Sequence, residues 1–172
     1  MASNRLKRSR KYRDIFVVHH QLNPMIDYLV LLNYDGLKEG KFMTEYKKSH
    51  ARSGIDTPLP QIECFENQFK NYEITISIPE FTSVCPRTGQ PDFGTITIRY
   101  IPNKWCVELK SLKMYILSFR NLGIFYENAV NRILRDFVKA SKPIQAVVTG
   151  QFNLRGGMKS TIEARYPSKK GK

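Results

Sequence analysis

The chain has 172 residues, 41% hydrophobic and 25% charged, enough for one globular domain that buries about 70% of its extended surface. Its 28 Lys+Arg against 15 Asp+Glu give a net charge of +13, which attracts polyanions or phosphorylated ligands without naming either. No apolar run approaches the ~20 residues of a membrane span, and Cys64, Cys85 and Cys106 form neither a disulfide framework nor a zinc-finger spacing.

Residues 1–57 read as a basic, partly disordered extension. Arg5, Lys7, Arg8, Arg10, Lys11 and Arg13 crowd its start, as a solvated tail or an RNA-binding arm would. The apolar run Ile15-Phe16-Val17-Val18 ends at His19 and His20, too early for a signal peptide. With an odd cysteine count this places the chain in a reducing cytoplasm. Met25 to Leu32 is expected to form a short helix, and residues 38–52 to be polar and mobile. Pro58 and Pro60 mark a hinge into the main domain, 58–167. Deleting residues 1–57 is expected to spare the chemistry.

From Tyr72 the pattern changes. Tyr72, Ile74, Ile76 and Ile78 alternate with Glu73, Thr75 and Ser77, the period of a half-buried strand. Ile96, Ile98 and Tyr100 repeat that pattern, and Pro102-Asn103 turns the chain. A third strand follows, with Trp105, Val107 and Leu109 alternating with Cys106, Glu108 and Lys110. Leu112, Tyr115, Ile116 and Phe119 then take helical spacing. A second helix carries Tyr126, Val130, Ile133, Leu134, Phe137 and Val138 on one stripe and closes before Pro143. Strands at Ile144–Phe152 and Met158–Tyr166 flank Arg155-Gly156-Gly157, and residues 168–172 form a basic disordered tail. Three strands, two helices and two strands predict an α+β fold, an antiparallel sheet with a helix pair on one face.

Between the first two strands lies EFTSVCPRTGQPD, Glu80 to Asp92. Pro86 disfavours the helical region for Cys85, and Gly89 and Pro91 mark a tight bend. A thiol and a carboxylate can therefore sit on one short loop pinned by strands. Cysteine chemistry needs a thiolate with an acid or base in reach; an inert small hydrophobe and a turn-capping aspartate are the plain alternatives. No G-x-G-x-x-G follows a strand, so the usual dinucleotide fingerprint is missing. All three histidines, His19, His20 and His50, lie in the extension, and no metal site is expected.

EFTSVCPRTGQPDF, followed by ELKSLKMYILSFRN and FYEN, resembles the QueF family of NADPH-dependent 7-cyano-7-deazaguanine (nitrile) reductases in their single-module form. The resemblance runs from about Pro58 to Tyr166. It implies the tunnelling fold, in which subunits join their sheets into an oligomeric barrel, as a decamer of two rings, with active sites at subunit boundaries. It makes Cys85 the nucleophile that forms a thioimide and Asp92 the proton donor. Val107, Glu108, Leu109, Tyr126 and Glu127 fall on substrate-binding positions. A carboxylate suits a guanine-like edge because it accepts two parallel N–H bonds. Tyr126 departs from relatives that carry His there. Lys110, Lys113, Arg120 and Arg155 fall on positions that bind NADPH.

The resemblance thus implies reduction of the nitrile to 7-aminomethyl-7-deazaguanine in tRNA queuosine biosynthesis. The substrate is a small deazapurine, so this reading needs neither nucleic acid nor membrane as partner. Two other readings compete. Related archaeal enzymes use the same Cys/Asp pair as an amidinotransferase on the cyano base in tRNA, making archaeosine. A non-catalytic RNA-binding protein on the same scaffold would explain the charge but not the thiol, acid and glutamates together.

Overall fold

The computed structural model describes residues 45–168. The basic arm, His19, His20 and the helix expected at Met25 to Leu32 lie outside the described residues. In chain order the elements are a short helix α1 (Lys48–Arg52) and strands β1 (Cys64–Glu66), β2 (Ile74–Val84), β3 (Pro91–Ile101) and β4 (Trp105–Val107). Helix α2 (Leu109–Leu117) runs into a 3₁₀ turn (Ser118–Asn121), and α3 (Tyr126–Ser141), β5 (Gln145–Arg155) and β6 (Met158–Tyr166) follow.

The main sheet is antiparallel, in the order β2-β3-β5-β6. On β3 every second residue from Asp92 to Tyr100 is buried, the alternation of a strand with one covered face. Helix α3 packs across β5 and β6, and the 3₁₀ turn packs on β2. The α3 stripe buries Val130, Ile133, Leu134 and Phe137, and α2 buries Leu112, Tyr115 and Ile116. Gly150 on β5 is where the close approach of α3 demands a glycine. A Cβ there would meet a Val130 methyl at 2.6 Å.

Three expectations need correction. The third strand does not join the main sheet: β4 pairs with β1 in a separate two-stranded ribbon. It also stops at Val107, because both Glu108 carboxylate oxygens accept the amide protons of Lys110 and Ser111 at 2.7 Å and start α2 there. Lys110 is therefore a first-turn helix residue.

Residues 48–57, expected to be extension, are fastened to the second half of the domain. Ala51 O accepts from Asn128 Nδ2 at 2.7 Å, and the Ser53 hydroxyl donates to Gly123 O at 2.6 Å. Arg132, 5% exposed, donates to the carbonyls of Gly54 and Thr57, and Arg135 donates to Ile55 O. Gly54, at φ +75°, lies so close to the Gly123 carbonyl that a Cβ would meet it at 2.7 Å.

A buried arginine that satisfies two carbonyls and Asp136 is costly to remove, since the carbonyls of Gly54 and Thr57 lose their donor. We expect Arg132→Ala to lower stability by about 3 kcal/mol, read as a lower urea midpoint. A midpoint like that of the wild type would show that residues 48–57 are held by other means.

Candidate active site

Two β-bulges aim the site. Between Ile78 and Phe81 three residues of β2 are set against two of β3. The extra residue moves the inward face from Ile74, Ile76 and Ile78 to Phe81 and Ser83. A one-residue slip carries every later side chain to the other face, so the bulge is what turns Ser83 inward beside its β3 partner, Asp92. The second bulge sits between Phe152 and Arg155 on β5. It brings Arg155 to the face that Phe152 occupies.

After β2 the loop 85–90 is closed by its own backbone. The Cys85 amide donates to Gln90 O at 2.9 Å and the Gly89 amide to Cys85 O at 2.8 Å, with Gly89 at φ +70°. Just before it, Val84 bridges Gly123 in parallel: its amide donates to Leu122 O, and the Ile124 amide donates back to Val84 O, both at 3.0 Å. Helix α3 starts two residues beyond Ile124. One bridge thus sets both the thiol loop and Tyr126.

Burial pushes the Cys85 thiol up. Hydrogen bonds from the Thr88 hydroxyl and from the amides of Arg87 and Thr88 outweigh that, against a further rise from the Asp92 charge, and the net pKa is lowered from 9.0. Loop amides and a hydroxyl therefore favour the anionic form of this thiol.

Asp92 is 3% exposed. Its Oδ1 accepts the Tyr126 hydroxyl at 2.8 Å and pairs with Arg155 Nη1 at 2.6 Å. Desolvation raises its pKa above 3.8, although Tyr126 and Arg155 both pull it down. Tyr126 stacks on Phe152, with ring centroids 3.8 Å apart and planes at 10°. Burial and the bond to Asp92 push its hydroxyl to about 12. Arg155 Nη2 also donates to Pro91 O at 2.6 Å.

Cys85, Asp92, Tyr126 and Arg155 are therefore brought together. The other expected residues are not. Among the described residues, no hydrogen bond or ion pair joins Val107, Glu108, Leu109, Lys110, Lys113, Arg120 or Glu127 to that group. Val107 is buried, and its amide meets the Tyr100 hydroxyl at 3.2 Å. Glu108 is a helix cap with a lowered pKa, caused first by the Lys110 and Ser111 amides. Leu109 is 60% exposed, and Glu127 lies exposed in the first turn of α3.

A family model described as QueF-like protein matches residues 91–171. The NADPH-dependent 7-cyano-7-deazaguanine reductase of Elusimicrobium minutum is 60% identical over 125 residues, 72% of this chain and 95% of that protein. The reductase of the same name from Chloroherpeton thalassium is 60% identical over 111 residues, 63% of this chain and 96% of its own.

The chain belongs to the QueF family.

A crystal structure of an archaeosine synthase described as QueF-Like, in the apo form, superposes with a TM-score of 0.55. It is 20% identical and covers 59% of this chain and 100% of its own. It shares the α+β fold. Sequence reading of this QueF-family chain passed over Ser83, Thr88 and Phe152. The signal for Ser83 was the step from Ile78 to Phe81, where the alternation skips a residue at Pro79-Glu80.

Two outcomes follow from the electrostatics. Iodoacetamide at neutral pH should alkylate Cys85 ahead of Cys64, whose thiol burial pushes up; peptide mass spectrometry gives the order, and Cys64 reacting first would contradict it. The second concerns Asp92. Its raised pKa means the folded protein holds this proton more tightly than the unfolded chain. The group's contribution is full below about pH 3.8 and is lost as pH rises through the folded value. Urea unfolding should show wild type losing stability relative to Asp92→Asn from acid to neutral pH. A difference constant with pH would overturn the raised value.

Proposed function

We propose that this chain is an NADPH-dependent oxidoreductase that reduces the nitrile of 7-cyano-7-deazaguanine to 7-aminomethyl-7-deazaguanine, the step that its relatives at 60% identity are named for. The observation that carries the reading is a thiol of lowered pKa in the turn that leads into a buried carboxyl of raised pKa at the start of β3. A thiol whose anion is favoured suits a nucleophile, and a carboxyl whose proton is favoured suits an acid.

In this reading the Cys85 thiolate attacks the nitrile carbon and forms a C–S bond. One C≡N electron pair moves to nitrogen, which takes the proton of Asp92, giving a thioimide. Asp92 becomes a carboxylate that Tyr126 and Arg155 are already placed to hold. A thioimide accepts hydride where a free nitrile does so poorly, so covalent attachment divides a hard step into easier ones. After one reduction Cys85 leaves as thiolate and an imine remains, ready for a second. Tyr126 works by hydrogen bonding and stacking, since a hydroxyl with a pKa near 12 is a poor shuttle at neutral pH.

Bound NADPH supplies the hydrides. Lys110, Lys113 and Arg120 fit its phosphates: they fall within an arc of roughly 60° along α2 and its 3₁₀ extension. None of the three is ion-paired among the described residues. Arg155 contributes to the acid instead of standing free for a phosphate. Val107, Glu108 and Leu109 would serve the deazapurine from a neighbouring subunit, since no hydrogen bond or ion pair among the described residues joins them to Cys85 or Asp92 within one chain. Both edges of the main sheet, β2 and β6, lack a strand neighbour among the described residues. Long edges are paired or covered in stable proteins, and joining β2 to β6 of the next subunit would close a barrel. Residues 48–57 belong with the folded unit through their hydrogen bonds to α3. No helix among the described residues is long and apolar enough to cross a membrane; the chemistry suits the cytoplasm.

With 7-cyano-7-deazaguanine present, the protein should oxidise two NADPH per nitrile. Cys85→Ala should abolish this and Asp92→Asn should slow it by about 10²–10⁴-fold, both followed as loss of cofactor absorbance. Wild type that binds the nitrile but leaves NADPH unchanged would defeat the reading.

A further inference from the structure

Ser53 stands half-buried at the end of α1, far from Cys85 in the chain. Its amide donates to His50 O at 3.2 Å and caps that helix. Its hydroxyl is used elsewhere. The Oγ donates to Gly123 O at 2.6 Å, across 70 residues of sequence. The direction of this bond is fixed, because a carbonyl can only accept.

Gly123 is the residue that bridges Val84. The bridge itself uses the Leu122 carbonyl and the Ile124 amide, each 3.0 Å from its Val84 partner. The Gly123 carbonyl takes no part in it and goes to Ser53 instead. Gly123 is also flanked on two sides: a Cβ there would lie 3.4 Å from Ser53 Oγ and 3.8 Å from the Cα of Pro86. Val84 is the residue before Cys85 and Pro86 the one after. Ser53 therefore holds the middle of a short segment whose other contacts flank the thiol on both sides. Gly54 lies against the same carbonyl. A chain that began at Pro58 would keep Cys85 and Asp92 and lose this support.

We propose that Ser53 is a positioning residue for the Cys85 thiol: its hydrogen bond to Gly123 O fixes the segment 122–124 against which Val84 and Pro86 rest, and so sets the sulfur among the loop amides. Without the hydroxyl the Gly123 carbonyl loses its donor and the bridge to Val84 opens more often. Cys85 then keeps a looser hold on the amides of Arg87 and Thr88. The catalytic meaning rests on Cys85 being the nucleophile; the coupling between Ser53 and the thiol does not.

The test reads the full chain in two ways. Hydrogen exchange at the Val84 and Ile124 amides should quicken about 2–10-fold in Ser53→Ala, the worth of one hydrogen bond. It should quicken more there than at the amides of β3 and β5. The rate at which iodoacetamide alkylates Cys85, followed against pH, gives the thiol midpoint. Loop amides favour the thiolate, so loosening them should move that midpoint up. Asp92 from β3, Tyr126 from α3, Arg155 behind Asp92 and Arg87 in the loop surround the same thiol, and every Ser53 variant leaves them in place. Ser53→Thr keeps the hydroxyl and should behave as wild type. Ser53→Val has the shape of threonine without the hydroxyl and should behave as Ser53→Ala. An unmoved Cys85 midpoint in Ser53→Ala and Ser53→Val would overturn the proposal, as would exchange that quickens equally throughout the sheet. Activity separates the two readings. If wild type reduces the nitrile, Ser53→Ala should lower kcat and leave the KM for NADPH alone; an unchanged kcat would overturn the catalytic meaning. If wild type does not reduce it, the reductase reading falls, and exchange with alkylation decides Ser53.

Discussion

Asp92 carries a carboxyl group into the covered face of a sheet, where an ionised acid is costly to keep. The site is arranged around that cost. Arg155 and Tyr126 neutralise and hydrogen-bond one oxygen, yet desolvation outweighs them and leaves the acid weaker than normal. Loss of Arg155 would leave the buried carboxylate without its counter-charge. Phe152 stacks on the ring of Tyr126 that carries this hydroxyl.

The partners come from distant parts of the chain, and the fold brings them in by small irregularities. One extra residue in β2 turns Ser83 inward, and one extra residue in β5 does the same for Arg155. The parallel bridge between Val84 and Gly123 ties the Cys85 loop to the start of α3. Residues 48–57 lie on the other side of that bridge, with the Ser53 hydroxyl on the Gly123 carbonyl. A segment that looks peripheral in the sequence therefore braces the connection through which Cys85 and Tyr126 keep their spacing.

The thiol and the acid are tuned in opposite senses by one loop and one strand end. Cys85 sits where backbone amides converge, so its anion is welcomed. Asp92, seven residues on, sits where water is excluded, so its anion is resisted. The thiol and the carboxyl thus sit on one hairpin, on either side of a turn closed by its own backbone.

Much of this was legible in the sequence. The alternation in β2, β3, β5 and β6 and the stripes of α2 and α3 follow from period and burial, so the α+β class could be read directly. The thiol, the acid and their shared turn were visible in VCPRTGQPD. Other features depend on what residues meet in space. Glu108 looks like a strand residue until its carboxylate is seen capping α2, and Lys48–Arg52 looks like loop until Arg132 reaches back to the carbonyls beyond it. A bulge leaves only one missed beat in an alternating pattern, so local periodicity says little about Ser83 or Arg155. Period and composition determined which elements form; which side chains share the buried face was decided by the tertiary fold, because register and long-range hydrogen bonds are set only when the strands pair.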